Sequence, residues 1–417
     1  MPAPTAIFRA ILLSLLAVAV YAQFPPLHAA IRNGDSAAVA ALIRSGADVN
    51  EADAAGTPPL IAAVLSNKPA IAQFLLAHGS QVDARQHETG GTALYYAVIK
   101  DRPELVRILL AAGANREPRY QDGLTALHLA AKQGEGAVAQ LLVARGEELA
   151  VTDAAGNTPL DEAILHGHTE VVEILLEHGS NPNRVHGANA RGPLDEAAIA
   201  GFPRIAELLI RSGADPIARD NSGQSALDLA LAYKNAEVVR TLLQLTSSRE
   251  GLRQQFAEAM ENSVVRGRTA TARLLLDSGW SANERTSSGS TYLNDAALKG
   301  RLALARLLLE HGAPVDSHNS QGGTPLHDAA ISGNPELINL LIERGAAVDV
   351  RDNGSATPLM LAASLGNSAA VVALLKRGAN PLLVDDTGRN AVARAREAQN
   401  AELVKLLESA GKPAAKS

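Results

Sequence analysis

The apolar positions of this chain return in the same order about every 33 residues. A leucine that opens an amphipathic segment serves as a ruler, and its successive steps are 33 or 34 residues. The ruler residues are Leu27, Leu60, Leu94, Leu127, Leu160, Leu194, Leu227, Met260, Leu293, Leu326, Leu359 and Val392. A fixed period of this length predicts a solenoid, in which thin units stack and bury one another's apolar faces.

Within each unit, the positions around the ruler predict a pair of helices. The candidate caps of the first helix are Thr92, Thr125, Thr158, Thr291, Thr324 and Thr357. Alanine stands three residues after the ruler in eleven of the twelve units, where it lets neighbouring helices approach closely. Seven residues after the ruler, most units have glycine, asparagine or aspartate, which tolerate the left-handed backbone that ends a helix. Residues 169–179 then show the apolar stripe of a second helix.

A closing glycine and an extended excursion complete the unit. The glycine lies nineteen residues after the ruler in eleven of the twelve units, and an aspartate suits the tight turn that follows. The segments "TALHLAAKQG" at 125–134 and "TPLHDAAISG" at 324–333 contain the motif T-P-L-H-x-A or a close variant. In these features the unit resembles the ankyrin repeat. The resemblance spans residues 24 to 411 and implies an all-α solenoid of about twelve helix–turn–helix repeats with β-hairpin fingers.

The pattern breaks at the end of the seventh repeat. Thr246 stands where the closing glycine is expected, and the next residues lack the turn residues of a finger. We expect Arg253–Val265 to be a helix that fills the space of the missing finger, and Trp280 to pack beside it. An exposed tryptophan used for binding is the alternative. The break divides repeats 1–7 (residues 23–246) from repeats 8–12 (residues 247–411), and whether it is a hinge stays open.

The first 22 residues differ from the repeats. Arg9 precedes an uncharged apolar run from Ala10 to Val20, and small residues precede the peptide bond after Ala22. This arrangement predicts a signal peptide cleaved after Ala22, and therefore a periplasmic or secreted protein. A buried N-terminal helix is the alternative. No membrane span is expected in the mature chain, and residues 412–417 are expected to be a flexible tail.

Composition adds little to the functional picture but fits the stacked architecture. Aromatic residues make up only 3% of the chain, which suits a core of thin layers built from small side chains. The chain has no cysteine, so it has no disulfide framework. The net charge of −6 is modest and gives no indication of a nucleic-acid partner. The alanine-rich composition suggests a bacterial source, and we expect a monomer.

Candidate catalytic and metal-binding residues have simpler structural explanations. Three histidines follow the ruler directly: His28, His128 and His327. The resemblance implies that each one bonds the neighbouring finger. His166 and His168 form an H-G-H pair, but no third ligand lies at a recognisable spacing. Asp161 and Glu162 suit the first turn of a helix, and no nucleophile elbow or phosphate loop occurs. We therefore expect no enzyme activity, no cofactor and no metal.

A binding surface remains as the functional candidate. The resemblance implies that partners contact positions just before the ruler and five or six residues after it. These residues are Arg32, Leu65, Lys100, Gln121, Leu124, Lys132, Asn157, Leu165, His166, Arg191, Tyr233, Arg266 and Lys299. Their basic character on an acidic chain favours an acidic protein partner bound on a concave face. Ordinary solvated charge is the alternative.

The expected function is therefore a non-catalytic scaffold for protein–protein interaction, acting in the periplasm or outside the cell. Neutralisation of a toxin or enzyme is one form of it. Alternatives are a secreted effector that acts on a host protein, an envelope scaffold that holds several partners, and, with the least support in the sequence, an enzyme.

Overall fold

The computed structural model describes residues 26–116, 120–143, 149–245 and 250–411. Within them 24 α-helices follow one another in pairs, one pair for each of the twelve expected repeats. None of these described helices is both long and apolar enough to cross a bilayer. The predicted cleavage site after Ala22, the residue Thr246 and the tail at 412–417 lie outside the described residues.

Repeats 1–6 contain helices α1–α12, which alternate between a first and a second helix. Their bounds are Pro26–Asn33, Ser36–Arg44, Pro59–Leu65, Pro69–Ala77, Ala93–Ile99, Pro103–Ala111, Ala126–Gln133, Gly136–Leu142, Pro159–Leu165, Thr169–Glu177, Pro193–Ala200 and Pro203–Arg211. The described residues up to Asp215, together with Arg219–Gly223, form one compact unit. We call it the first unit.

Repeats 7–12 contain helices α13–α24 in the same alternation. Their bounds are Ala226–Ala232, Ala236–Gln244, Glu250–Arg266, Thr269–Asp277, Tyr292–Leu298, Leu302–Glu310, Pro325–Ser332, Pro335–Glu343, Pro358–Ser364, Ser368–Lys376, Ala391–Glu397 and Ala401–Ala410. These helices, with Pro216–Ala218, form the second unit. The division into repeats 1–7 and 8–12 at residue 246 stays a prediction.

The first helices form the inner layer of each unit. In α3 every residue from Pro59 to Val64 is buried, because this helix packs on its own second helix and on the first helices of both neighbours. The second helices bury a narrower stripe, such as Val171, Val172 and Leu175 of α10. The core is therefore a series of thin layers of alanine, leucine and valine, as the low aromatic content predicts.

The turn between the two helices adopts the predicted left-handed backbone. Gly134 has φ 80°, and Asn67 and Asp101 have φ 50° and 47°. Lys234 and Gln399, which lack the usual residue types, adopt it too, with φ 62° and 55°. The stacking of neighbouring repeats fixes the turn strongly enough to hold a residue with a β-carbon there, at a cost of about 1–2 kcal/mol.

The predicted threonine caps are confirmed with one variation. Thr92, Thr125, Thr158, Thr291 and Thr357 each accept a hydrogen bond from the backbone amide three residues later. Thr324 bonds the imidazole Nδ1 of His327 instead, at 3.0 Å from its hydroxyl oxygen. The first helices therefore start at positions fixed by local side-chain chemistry.

The fingers are turns more than hairpins. Among the described residues they contain isolated antiparallel bridges, Arg85–Thr92, His186–Arg191 and Arg285–Thr291, and no strand ladder. The aspartate at the tip replaces much of that ladder: Asp352 Oδ1 accepts the amides of Gly354 and Ala356, each at 2.9 Å. Adjacent fingers are joined by backbone bonds, such as the 3.1 Å bond from the Asn353 amide to the Gln321 carbonyl.

A long helix occupies the place of the missing finger, as predicted. Helix α15 has 17 residues and begins at Glu250, slightly before the expected Arg253. Phe256 is fully buried, and its ring stacks on Trp280 with centroids 5.5 Å apart. Trp280 is 6% exposed, and its indole nitrogen donates to the Tyr292 hydroxyl at 3.3 Å. The packing role of Trp280 is confirmed, and the alternative of an exposed binding residue is wrong.

Candidate protein-binding surface

In the first unit, the candidate residues at the ends of the first helices are exposed. They are Arg32, Leu65, Lys100, Lys132, Leu165 and His166. Each lies in the last turn of a first helix or directly after it, because that is where the fifth and sixth positions after the ruler fall. Leu65 and Leu165 are 44% and 46% exposed, so apolar surface accompanies the charges.

Leu124, a candidate residue in the loop before α7, does not extend this surface. Leu124 is only 9% exposed, and its carbonyl accepts the Tyr120 amide at 2.9 Å. The prediction that Leu124 is exposed to a partner is wrong, because its side chain is buried in the core. Gln121 belongs to a short 3-10 turn, and its side chain lies outside the described part of the chain.

Two of the candidate arginines serve the fold. Arg32 Nη2 lies 2.7 Å from Asp53 Oδ2, and Arg191 Nε lies 3.4 Å from Asp220 Oδ2. Both aspartates are finger-tip residues with almost fully buried side chains. Each arginine therefore compensates a buried carboxylate and ties a finger to the stack.

Lys100 and Lys132 behave differently from these arginines. Both are exposed at the ends of α5 and α7, and neither forms an ion pair with a described residue. Among the basic candidates of the first unit, these two lysines are the ones whose charge is available to a partner.

The histidines after the ruler bridge neighbouring repeats, as expected. The Nε2 atoms of His28, His128 and His327 lie 2.8, 3.0 and 3.0 Å from the carbonyl oxygens of Thr57, Asn157 and Ala356 in the next finger. Burial lowers the pKa of His28 and of His327 despite these carbonyl bonds. A neutral ring fits the sites of His128 and His327, because Nε2–H donates forward while Nδ1 accepts the backbone amide of the cap residue, Thr125 or Thr324.

The H-G-H pair and the carboxylates beside it also have structural partners. His166 Nδ1 lies 2.9 Å from the Glu162 carbonyl, and His168 Nε2 lies 3.0 Å from the Lys132 carbonyl. Asp161 takes the position of the bridging histidine and accepts the Thr158 amide at 2.7 Å. The described residues contain no group of three histidine or carboxylate side chains placed to hold a metal ion.

Asn157 belongs to the same polar cluster. Its side-chain amide donates to Glu162 Oε1 at 3.0 Å, and its own backbone amide bonds the tip aspartate Asp153 at 2.9 Å. Asn157 is half-buried, so it contributes to the floor of the surface more than to its exposed rim.

A tyrosine cluster in repeats 3 and 4 is not among the predicted features. Tyr95 stands where other repeats have the bridging histidine, and its ring lies 4.5 Å from that of Tyr120 in the next finger. Tyr120 reaches back to the cap residue Thr92, with 2.9 Å between the two hydroxyl oxygens. The bridge between repeats is therefore made in the reverse direction. Tyrosine directly after the ruler, in a chain with so few aromatics, was the available signal.

Glu135 is a second residue that the sequence did not indicate. It precedes α8, and its Oε2 atom is buried without a hydrogen-bond partner among the described residues. Burial and the nearby charge of Asp101 raise the pKa of Glu135 to about 7. The folded state thus favours the protonated carboxyl. This contribution to stability is present at low pH and is lost as pH rises from the ordinary pKa to about 7.

Replacing Glu135 with glutamine should therefore stabilise the protein at pH 8 and leave it unchanged at pH 4. We expect a gain of about 1 kcal/mol at pH 8, which allows for the partial exposure of the carboxyl group. Urea unfolding at the two pH values measures this difference. Glu104→Gln, at an exposed residue in the first turn of α6, is the matched control and should change neither value. An equal effect of Glu135→Gln at both pH values contradicts the prediction.

In the second unit, the candidate residues Tyr233, Arg266 and Lys299 are exposed at the equivalent positions. Tyr233 is 54% exposed, and two apolar residues at the ends of first helices, Val265 and Leu298, are 49% and 41% exposed. The second unit therefore repeats the combination of apolar and basic side chains that the first unit shows.

Comparison with known protein families agrees with the repeat architecture. A profile described as "Ankyrin repeats (3 copies)" matches residues 27–119, 112–186 and 260–352. Residues 341–395 match "Ankyrin repeats (many copies)", and residues 191–221 match "Ankyrin repeat".

Relatives with assigned names share the repeats over part of their length. The chain is 34% identical over 163 residues to the nuclear factor NF-kappa-B p105 subunit of Gallus gallus, which covers 38% of this chain and 16% of the relative. It is 27% identical over 286 residues to the E3 ubiquitin-protein ligase KEG of Arabidopsis thaliana, which covers 65% of this chain and 18% of the relative. The chain thus spans less than a fifth of either relative. Both relatives are eukaryotic, so the bacterial source stays a prediction.

Among solved structures, the ankyrin repeat domain of Bcl-3 is similar, with 29% sequence identity and a TM-score of 0.45. The match covers 49% of this chain and 93% of that one. The three-copy profile alone matches more than half of the sequence. The chain belongs to the ankyrin repeat family.

Proposed function

We propose that this protein is a non-catalytic scaffold whose partners dock on the exposed ends of its first helices. Ankyrin repeats generally mediate protein–protein interaction, and stacked repeats present extended binding surfaces. One observation carries the proposal: in four successive repeats, a side chain five or six residues after the ruler is exposed. In the first unit these are Leu65, Lys100, Lys132 and Leu165.

The proposed partner is a protein with an acidic surface. Lys100 and Lys132 are exposed and form no ion pair with a described residue, whereas Arg32 and Arg191 are already paired. Exposed charges of one sign accelerate association with an oppositely charged partner and help to select it. We do not assign a partner to the polar cluster around Glu162, since Asn157, Asp161 and His166 already form hydrogen bonds within the fold.

We further propose that the protein acts in the periplasm or outside the cell, where it neutralises a toxin or an enzyme. The support is the apolar run from Ala10 to Val20 and the small residues before the bond after Ala22. N-terminal sequencing of protein recovered from the envelope and from the medium tests the location. A chain that retains Met1 and co-purifies only with cytoplasmic proteins overturns it, and a host-protein partner favours the effector alternative.

Charge reversal at two lysines tests the binding surface. We expect Lys100→Glu with Lys132→Glu to weaken the complex with a captured partner at least about tenfold, because two attractive contacts become repulsive. Affinity capture with the full chain, followed by titration of the captured protein, measures the change.

The matched control reverses two exposed arginines on second helices of the same unit, Arg44→Glu and Arg107→Glu. The control has the same net charge as the test variant and should bind the partner like the wild type. If both variants weaken binding equally, the effect is one of net charge and the proposed surface is rejected.

A further inference from the structure

The helix-to-helix junctions of repeats 7, 8 and 9 form a basic ridge. The ridge residues are Lys234, Arg266, Arg268, Lys299 and Arg301, all of them exposed. The nine residues 233–235, 266–268 and 299–301 include five cations and no carboxylate. The ridge belongs entirely to the second unit.

Carboxylates elsewhere in the second unit leave this charge largely uncompensated. Glu237 pairs with Arg240 at 2.8 Å, and Asp277 bonds His311 at 3.0 Å. Asp295 is half-buried, and the charge of Lys299 acts on its carboxylate electrostatically. None of the five ridge cations forms an ion pair within the described part of the chain, and the guanidinium of Arg301 bonds the carbonyl of Val265 at 3.3 Å.

An apolar row runs beside the ridge. Tyr233, Val265 and Leu298 each directly precede a ridge cation, and they are 54%, 49% and 41% exposed. The row continues in repeat 11 with Leu365, which is 55% exposed. Exposed apolar side chains five or six residues after the ruler in three successive repeats, each followed by a cation, are a combination that the fold does not require.

The distance between successive apolar side chains of the row indicates which secondary structure a bound segment would have. Packed helices lie about 8–10 Å apart, so the row advances by about that distance per repeat. An α-helix laid along the row rises 1.5 Å per residue and advances about 10 Å in seven residues, which return to the same face. An extended strand covers the same distance in three residues, and its alternate side chains then point to opposite faces. A helix can therefore meet every repeat with one face, whereas a strand cannot.

We propose that the ridge and the apolar row bind an acidic amphipathic helix of a partner protein, with apolar residues recurring every seven positions. The helix lays its apolar face on Tyr233, Val265 and Leu298, and its carboxylates meet the flanking cations. This inference rests on the proposed scaffold function and gives it a partner class. It adds Lys234, Arg268 and Arg301, which the sequence pattern alone did not single out.

The partial exposure of the row favours a protein partner over a membrane. Each apolar side chain of the row is 41–55% exposed, so about half of its surface is already covered. Side chains that insert into a bilayer must stand clear of the surface, and these do not. A helix that brings its own apolar side chains can pack on such a half-covered row.

The test uses the purified full chain and a labelled synthetic helix of 21 residues. Leucine occupies the apolar positions of three heptads in the probe, and glutamate and alanine fill the rest. Fluorescence anisotropy measures binding to the wild type and to Arg266→Glu with Lys299→Glu. The matched control is Lys376→Glu with Lys405→Glu, which makes the same charge change at exposed lysines on second helices of the same unit.

We expect the probe to bind the wild type and the control with equal affinity. Its affinity for the ridge variant should be at least about tenfold lower. Binding should also weaken as the salt concentration rises. A scrambled peptide of equal composition should bind poorly to all three. No binding to the wild type, or equal binding to both variants, overturns the proposal. Binding to anionic lipid vesicles in place of the probe also overturns it, in favour of a membrane surface. A captured partner that still binds the ridge variant leaves the scaffold function standing and removes this site.

Discussion

Replacing Phe256 with alanine should lower the unfolding free energy of the second unit by about 3–5 kcal/mol. Phe256 is fully buried in α15 and stacks on Trp280, which is itself held by the hydroxyl of Tyr292. These three aromatics fill the place that a finger occupies in other repeats. Because the neighbouring helices are fixed by their own repeats, the cavity left by the phenyl ring cannot close, so the full cost of lost packing remains.

The single tryptophan allows this loss to be located. Trp280 fluorescence reports the eighth and ninth repeats, while circular dichroism reports all helices, so urea titrations followed by both signals separate local from general unfolding. In Phe256→Ala we expect the fluorescence transition to move to lower urea than the helical transition. Phe74→Ala is the control, because Phe74 is only half-buried on a second helix of the first unit. Coincident transitions with an unchanged midpoint contradict the packing role of this cluster.

Replacing His327 with alanine should cost about 3 kcal/mol, although no large apolar side chain is removed. The imidazole is 1% exposed and lies 3.0 Å from the Thr324 amide, the Thr324 hydroxyl and the Ala356 carbonyl. Alanine leaves the amide and the carbonyl buried without partners, at about 1–3 kcal/mol each. His318→Ala is the control, since His318 is exposed and its imidazole bonds only the Gly322 carbonyl of its own finger.

The pH dependence of the same variant gives a second readout. Burial lowers the pKa of His327 from its ordinary value of 6.5, so protonation favours the unfolded chain. The stability that neutral His327 provides is complete above pH 6.5 and decreases as pH falls below it. His327→Ala should therefore lose less stability than the wild type between pH 7 and pH 5. The pKa of Asp328, raised by burial to about 6, acts in the opposite direction in both proteins. Equal pH slopes for wild type and variant would contradict the assignment.

The repeat architecture could be predicted because the same kinds of local interaction recur from repeat to repeat and determine it. Caps such as Thr125, left-handed turns such as Gly134 and bridging histidines such as His128 act over one repeat or between neighbours. A recurring residue therefore indicates its own role. Even the departure at α15 followed from a missing turn glycine and a preserved spacing.

The surface could not be predicted equally well, because it depends on which side chains reach one another. Arg32 pairs with Asp53 and Arg191 pairs with Asp220, and both ion pairs join residues that are far apart in the sequence. Tyr120 bonds back to Thr92 of the preceding repeat, whereas the bridging histidines bond forward. Comparing residue types at equivalent positions of the repeats does not reveal this reversal. Leu124 is only 9% exposed, a burial that its place before the ruler did not indicate.

The hydrogen bonds between neighbouring fingers also affect how easily a repeat can be duplicated during evolution. The amide of Asn353 reaches the carbonyl of Gln321 one finger earlier, and the amide of Asp386 reaches that of Gly354 in the same way. Because fingers joined in this way each offer the same donor backward and the same acceptor forward, duplicating one such repeat inside a unit creates no mismatched joint. Such a duplication lengthens the protein by one layer and adds one more set of variable side chains, so new specificity can arise without redesign of the layers already present.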